Sequence, residues 1–269
     1  MAYLLFDIGG TKTRLALSLD GKSFLAPVIF PTPSNFDEAV KLLGEEARKI
    51  SLGQKILQAA GGVAGTLNRD RTSLLRATNL AEWQDQPLKE ALEAEWGAPV
   101  TLENDAAVVG LGEAVFGAGQ NYQSVAYLTV STGVGGAKIE QGKIAAHTYG
   151  FEPGFQIINY LTGETLEAIS GTTVAQKFGL EPKEITDPVI WSEAAKLLAV
   201  GVHNALVFWS PEVVVLGGSM MRAPAGISVA AVALHLATLP SVFKETVPLK
   251  SAVLGDLGGL YGALNLLSL

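Results

Sequence analysis

Two short stretches of this chain carry residue types that could do chemistry. The first is Asp7-Ile8-Gly9-Gly10-Thr11-Lys12, which follows directly on an apolar run. Paired glycines let the backbone turn tightly and present N–H groups to an anion, while Thr11 adds a hydroxyl and Lys12 a positive charge. Asp7 could hold Mg2+ through water, because magnesium takes few carboxylates and keeps several waters. The pattern is neither of the common glycine-rich nucleotide motifs, and a plain β-turn accounts for the same residues just as readily. The second stretch is Glu103-Asn104-Asp105-Ala106. From Asn104 onward the hydrophobic period lengthens from that of a strand to that of a helix, so Asn104 and Asp105 fall at a helix N-terminus. The helix dipole there favours an ionised carboxylate, the state a general base needs to accept a proton from a hydroxyl. An ordinary N-cap is the commoner use of a lone Asn-Asp pair.

Strand-like runs alternate with amphipathic ones along the chain, which is the pattern of an α/β protein. Tyr3–Phe6 and Arg14–Ser18 read as strands, with Asp20–Gly21 as a hairpin turn into a third strand over Ser23–Val28. Phe36, Val40, Leu43, Ala47 and Ile50 recur at helical spacing behind Ser34 or Asn35 as cap. Strands are predicted at Ile56–Ala60 and Val100–Leu102, with a helix over Pro87–Trp96 between them. A second strand–glycine–hairpin unit follows: Val125–Val130, the run Ser131-Thr132-Gly133-Val134-Gly135-Gly136, Ala137–Glu140, a Gln141–Gly142 turn and Lys143–Ala146. Its order repeats that of residues 4–21, so a duplicated unit is the simplest reading, and two such hairpins could grip a triphosphate from opposite sides. Unrelated α/β proteins also contain two glycine-rich hairpins. A helix over Val189–Phe208, a strand Val213–Leu216 and a helix over Gly258–Leu267 complete the pattern. The strand stops at Gly217–Gly218, where a backbone can approach a ligand closely.

A hydrophobic share of 48% against 17% charged residues, over 269 positions, supplies enough apolar material for two units and argues against disorder. The net charge of -7, with lysines and arginines scattered, argues against a nucleic-acid partner. It leaves a nucleotide open, because N–H groups and a metal neutralise phosphate locally. There is no cysteine, which excludes disulfides, thiolate zinc sites and cysteine nucleophiles. The longest apolar stretch, about Ala199 to Trp209, is interrupted by His203 and Asn204 and is too short to span a bilayer. No signal-type segment precedes the first strand, so no membrane partner and a cytoplasmic location are expected. A dinucleotide-binding reading fails for want of the G-x-G-x-x-G fingerprint.

Taken in order, these segments resemble the ROK sugar kinases of the actin-like ATPase superfamily over nearly the whole length. Asp7–Thr11 looks like the family's first phosphate motif and Ser131–Gly136 like its second. Thr78-Asn79-Leu80 with Trp83 and Pro87-Leu88 looks like its sugar-loop segment. Asn104-Asp105-Ala106 matches its catalytic Asn-Asp-Ala, Leu216-Gly217-Gly218 its adenosine-side loop, and Gly255-Asp256 with Gly258–Ala263 its C-terminal Gly-Ala helix. The resemblance implies a two-lobed actin-like (ribonuclease H-like) α/β fold with a duplicated β-hairpin/α core and an inter-lobe cleft. One lobe would take residues 1–105 plus 255–269 and the other 106–254. It implies ATP and Mg2+ as cofactors and Asp105 as the base on a sugar hydroxyl, usually that on C6. Asn79, Asn104, Glu152 and Glu167 would hydrogen-bond the other hydroxyls. Asp7, Gly9, Gly10, Thr11, Lys12, Thr132, Gly133, Gly135, Gly217 and Gly218 would hold the nucleotide, and a homodimer is a possible assembly.

Two departures bear on specificity. The family's Glu-x-Gly-His reads Glu152-Pro153-Gly154-Phe155 here, and the stretch where zinc-containing members place cysteines, Tyr160–Thr165, has none. Together they imply no zinc site and the loss of one sugar contact, worth about 1 kcal/mol. Because the family includes DNA-binding regulators, a non-catalytic sugar sensor or repressor is the alternative. The family's DNA-binding regulators carry a helix-turn-helix ahead of the first phosphate motif, which here starts at Asp7.

Overall fold

The computed structural model describes residues 1–222 and 226–267. The chain folds into two compact units, one formed by Met1–Val115, Ala146–Gly150 and Leu254–Leu269, the other by Phe116–Ala145 and Phe151–Val253.

The first unit is built on a five-stranded sheet of β1 (Ala2–Ile8), β2 (Lys12–Ser18), β3 (Val28–Pro31), β4 (Ile56–Val63) and β7 (Val100–Asn104), in the order β3-β2-β1-β4-β7. A small hairpin, β5 (Thr66–Leu67) with β6 (Leu74–Arg76), lies between β4 and β7 in the chain. The strands of the β1–β2–β3 hairpin pair antiparallel, whereas β1, β4 and β7 run parallel. Alternation along β1 sends Leu4, Phe6 and Ile8 into one core. There they join Leu43 of α1 (Phe36–Ser51), Leu88, Leu92 and Trp96 of α2 (Leu88–Trp96), and Trp83. Phe6 meets Trp96 at a centroid distance of 5.3 Å. Against β1 and β4 also packs α7 (Gly258–Leu266), which crosses α3 (Asp105–Phe116) on glycines. A Cβ on Gly112 would lie 2.3 Å from the Gly258 carbonyl oxygen, and one on Gly262 1.8 Å from that of Val108. Only glycine permits this backbone-to-backbone approach.

The second unit repeats the arrangement. Its sheet contains β8 (Ser124–Val130), β9 (Val134–Glu140), β10 (Lys143–Ile144), β13 (Val213–Gly217) and β14 (Leu249–Ser251), in the order β10-β9-β8-β13-β14. Again a three-strand antiparallel hairpin leads into parallel neighbours. Its core joins Ala126, Leu128, Val214 and Leu216 to Leu198 and Val202 of α5 (Pro188–Trp209) and Val232 of α6 (Val229–Leu236). A short hairpin, β11 (Ile157–Asn159) with β12 (Glu164–Thr165), and α4 (Gly171–Phe178) complete the unit. The fold is thus the duplicated actin-like α/β architecture.

Three expectations are corrected. The third strand occupies 28–31 rather than 23–28. Asp20 ties down the N–H groups of Lys22 and Ser23, and Pro27 has no N–H to give, so pairing resumes at Val28. The glycine run expected through 136 is a turn only to Gly133, and β9 already begins at Val134. The compact units part at 115/116 rather than 105/106, and 146–150 returns to the first unit. The glycine contact of α3 with α7 and the bonds of His147 described below account for both shifts.

Candidate active site

In the first unit, β1, β4 and β7 end side by side, Ile8 opposite Val63 and Val63 opposite Asn104. Their carboxyl edge therefore gathers the turn after β1, the Gly65 loop after β4 and the start of α3. Ligands of parallel sheets bind at this edge. The turn 9–11 is closed by the Gly9 N–H donating to the Lys12 carbonyl at 3.0 Å, and Thr11 and Lys12 are exposed. Asn79, also exposed, stacks on the turn: a Cβ on Gly10 would stand 2.4 Å from the Asn79 Cβ.

Asn104 caps α3, its Oδ1 accepting the Ala107 N–H at 3.1 Å, while its Nδ2 donates to the Gly65 carbonyl at 3.0 Å. Asp105 opens the helix, and its Oδ1 accepts the Ala106 N–H at 2.8 Å. Its backbone sits so close to β4 that a Cβ on Gly62 would be 2.8 Å from the Asp105 Cα. The position of the carboxylate is therefore set by strand packing below and by backbone hydrogen bonding beside it.

Asp7 is buried at the end of β1, beside Gly259 at the first turn of α7. Burial pushes its carboxyl above the usual range and nearby Asp256 adds to this, against the pull of Arg14. Arg14 bonds Asp7 Oδ2 through Nη1 at 3.2 Å and reaches Asp256 through Nη2 at 3.6 Å. No sequence motif marks Arg14, yet it is the residue facing Asp7 across the β1–β2 pair. Counting outward from the glycine turn finds it. Glu103, Arg71 and His147 form a partly buried cluster one residue before Asn104. Of these, only Glu103 belongs to a motif legible in the sequence.

In the second unit, Ser131, Thr132, Gly171, Thr172, Ser219 and Arg222 line a cavity of about 530 Å³, with Glu181 and Lys183 on its wall. The Thr132 carbonyl accepts the Thr172 N–H at 3.2 Å and its hydroxyl at 2.9 Å, and the Ser131 and Ser219 hydroxyls pair at 3.0 Å. Gly217 and Gly218 lead into this wall. A Cβ on Gly217 would collide with the Tyr127 hydroxyl, and Gly218 has φ +100 with the Val130 carbonyl beneath it. Gly133 and Glu167 are neighbours, because Glu167 Oε1 accepts the Val134 N–H at 2.8 Å. The same oxygen lies under Gly154, where a Cβ would meet it at 2.4 Å. Glu167 thus joins the second glycine turn to the Glu152 loop. Gly135 lies within β9 opposite Thr129, Glu152 is exposed, and Phe155 is 49% exposed. Among the described residues no helix is long and apolar enough to cross a membrane.

Two sheets of one strand order, each with a glycine turn after its first strand, define an actin-like ATPase fold. The chain belongs to the ROK family, whose model matches residues 3–155 and 156–268. It is 34% identical over 144 residues to the glucokinase of Streptomyces coelicolor, an alignment that takes in 54% of this chain but only 45% of that relative, less than half its length. It is similar to the crystal structure of the ROK hexokinase of Thermus thermophilus, with 30% identity and a TM-score of 0.81 over 98% of this chain and 97% of the other. A ROK family glucokinase from Streptomyces griseus, solved with glucose and AMPPNP, matches at 25% identity and a TM-score of 0.79 over 99% of both chains.

Proposed function

We propose that this protein transfers the γ-phosphoryl group of ATP to a sugar hydroxyl, the 6-hydroxyl of a hexose or N-acetylhexosamine. The observation that carries the reading is the shared carboxyl edge of β1, β4 and β7, where the glycine turn after β1 and the Asp105 carboxylate after β7 stand on either side of β4. An anion-binding turn beside a general base is the minimum that phosphoryl transfer asks of a protein, the rest being positioning and charge stabilisation. The Thermus and Streptomyces griseus structures support the same reading, the second having been solved with a sugar and an ATP analogue together.

In this reading Asp105 accepts the proton of the sugar hydroxyl as its oxygen bonds to the γ-phosphorus. The bond from that phosphorus to the bridging oxygen breaks, and ADP leaves. The N–H groups of residues 9–12 and 132–135 would face the phosphates, and the cavity beside Ser219 would take the nucleoside. Asn79, Asn104, Glu152 and Glu167 would orient the sugar. The bonds of Asn104 to Ala107 and Gly65 make its share largely that of holding Asp105 still. Asp7 fits water-bridged Mg2+, since Arg14 engages Oδ2 and the magnesium preference for retained water asks little more of the protein. When bound, the metal would neutralise charge developing on the phosphates. A cytoplasmic location follows from ATP as donor and belongs to this proposal.

The test is ADP formation with a panel of hexoses and N-acetylhexosamines. At least one sugar should stimulate it, and Asp105→Asn should lower kcat by about 10²–10⁴-fold, the range for loss of a general base, while the fold survives by circular dichroism. Near-normal turnover in that variant would remove Asp105 from the chemistry. Tight sugar binding by calorimetry without any phosphorylation would favour a sensor.

A further inference from the structure

A partly buried trio of charged and titratable groups underlies the β7–α3 junction and has no part in the proposed chemistry. Glu103 Oε2 receives the Arg71 Nε–H at 2.8 Å, and its Oε1 receives the Asn104 N–H at 2.9 Å. Arg71 Nη2 lies 3.1 Å from Nε2 and 3.2 Å from Nδ1 of His147, and His147 Nε2 lies 3.6 Å from Glu103 Oε2. The side chains of His147 and Glu103 are only 8% and 10% exposed, and that of Arg71 is 34% exposed. Burial works to raise the Glu103 carboxyl, but His147, the Asn104 N–H and Arg71 together outweigh it and hold it below the usual range.

A buried ion cluster is weak as a source of stability, because desolvation offsets most of its attraction. What it does well is hold geometry, since each member has few arrangements in which its bonds are satisfied. Here the held geometry is specific. Glu103 fixes the peptide that joins it to Asn104, one residue ahead of Asp105. Arg71 meets it from a backbone of φ 54, left-handed and unfavourable for a side chain of this size, a conformation that persists only where surroundings impose it. His147 sits on the segment 146–150, where the chain returns to the first unit between two parts of the second, and the chain reaches Glu152 five residues later.

We infer that Arg71, Glu103 and His147 are positioning residues: they fix the strand-to-helix junction that presents Asp105, and they anchor to it the stalk from which the Glu152 loop departs. Both halves of the assignment rest on the kinase reading above only for their catalytic consequence.

Glu103→Gln and His147→Asn test it, with steady-state kinetics and hydrogen exchange measured on the same preparations of full-length protein. Glu103→Gln should lower kcat by about tenfold or more with sugar KM changed little, on the scale at which a small displacement of a reacting group acts. His147→Asn should raise sugar KM by about tenfold as well, because the stalk loosens. Exchange should quicken in peptides spanning 101–107 and 144–151 and stay unchanged across β8 and β9. Kinetic constants within twofold of wild type overturn the inference. So does exchange that rises evenly through the first unit, which would mark a purely structural cluster. If the wild type phosphorylates no sugar, the kinase reading fails by itself. The exchange pattern then decides: local acceleration at both segments upholds the anchoring, and no change there refutes it.

Discussion

At the scale of single residues, the glycine contacts say where the site tolerates no change. The 2.4 Å from a Cβ on Gly10 to that of Asn79 cannot stand, and the exposed Asn79 is the partner that must give. Gly10→Ala should therefore raise sugar KM by about tenfold, as a displaced contact would, and lower the melting temperature as well, because the Asn79 Cβ moves only with its backbone. An unaltered KM would mean that Asn79 is no sugar contact. Much at this scale is legible in the sequence. Asp7, Gly9 and Gly10 declare a turn by type, and Asn104-Asp105 declares a helix start by the change of period. Arg14 can be read from hairpin register. Arg71 and His147 cannot, because 32 and 44 residues separate them from Glu103 and no local pattern marks a bond across such distances. The Asn104 side chain is expected on a sugar, and the structure adds a role no motif announces, capping α3 and donating to the Gly65 carbonyl.

At the scale of elements, boundaries follow capping chemistry where the cap is local. Of Ser34 and Asn35, the structure uses Asn35, whose Oδ1 accepts the Glu38 N–H at 3.1 Å to start α1. Asn35→Ala should cost about 1 kcal/mol of stability, the usual value of such a cap, read as a lower urea midpoint with an unchanged slope. A midpoint equal to wild type would place the start of α1 under tertiary control. The expected Pro87–Trp96 helix begins one residue later, with Pro87 outside it as cap. The crossing of α3 and α7 lies beyond sequence reasoning. Gly112, Gly258 and Gly262 look like weak helix positions until the two helices are seen to touch through them.

At the scale of the whole molecule, the duplicated sheet is the most legible feature, since both hairpins repeat one order of strand, glycine turn and strand. Stability against acid is a property of the same scale. The N–H groups of Lys22 and Ser23 hold the Asp20 carboxyl down at about 2, from an ordinary 3.8. A folded pKa below the unfolded one gives stability that is present above 3.8 and lost as pH falls through about 2. Glu103, held low by its cluster, acts in the same sense. Asp7, pushed up, acts in the opposite one: its ionisation on the way to neutral pH costs stability. Asp20→Asn should therefore flatten the fall in unfolding free energy between about pH 4 and 2. A carbon-detected titration of Asp20 with its midpoint near 4 would remove the basis for that expectation.

The division of the chain also sets an order in time. The five strands of the first sheet are all made by residue 104, but α7, which covers β1 and β4, comes only after residue 257. The second unit ends at Val253 and is complete before that cover exists. On a ribosome adding about 5–20 residues each second, the first sheet waits roughly 7–30 s with the part of its face that α7 covers left bare. During that interval the N-terminal half of a nascent chain is the part most in need of a chaperone, and the C-terminal half is the part that finishes first.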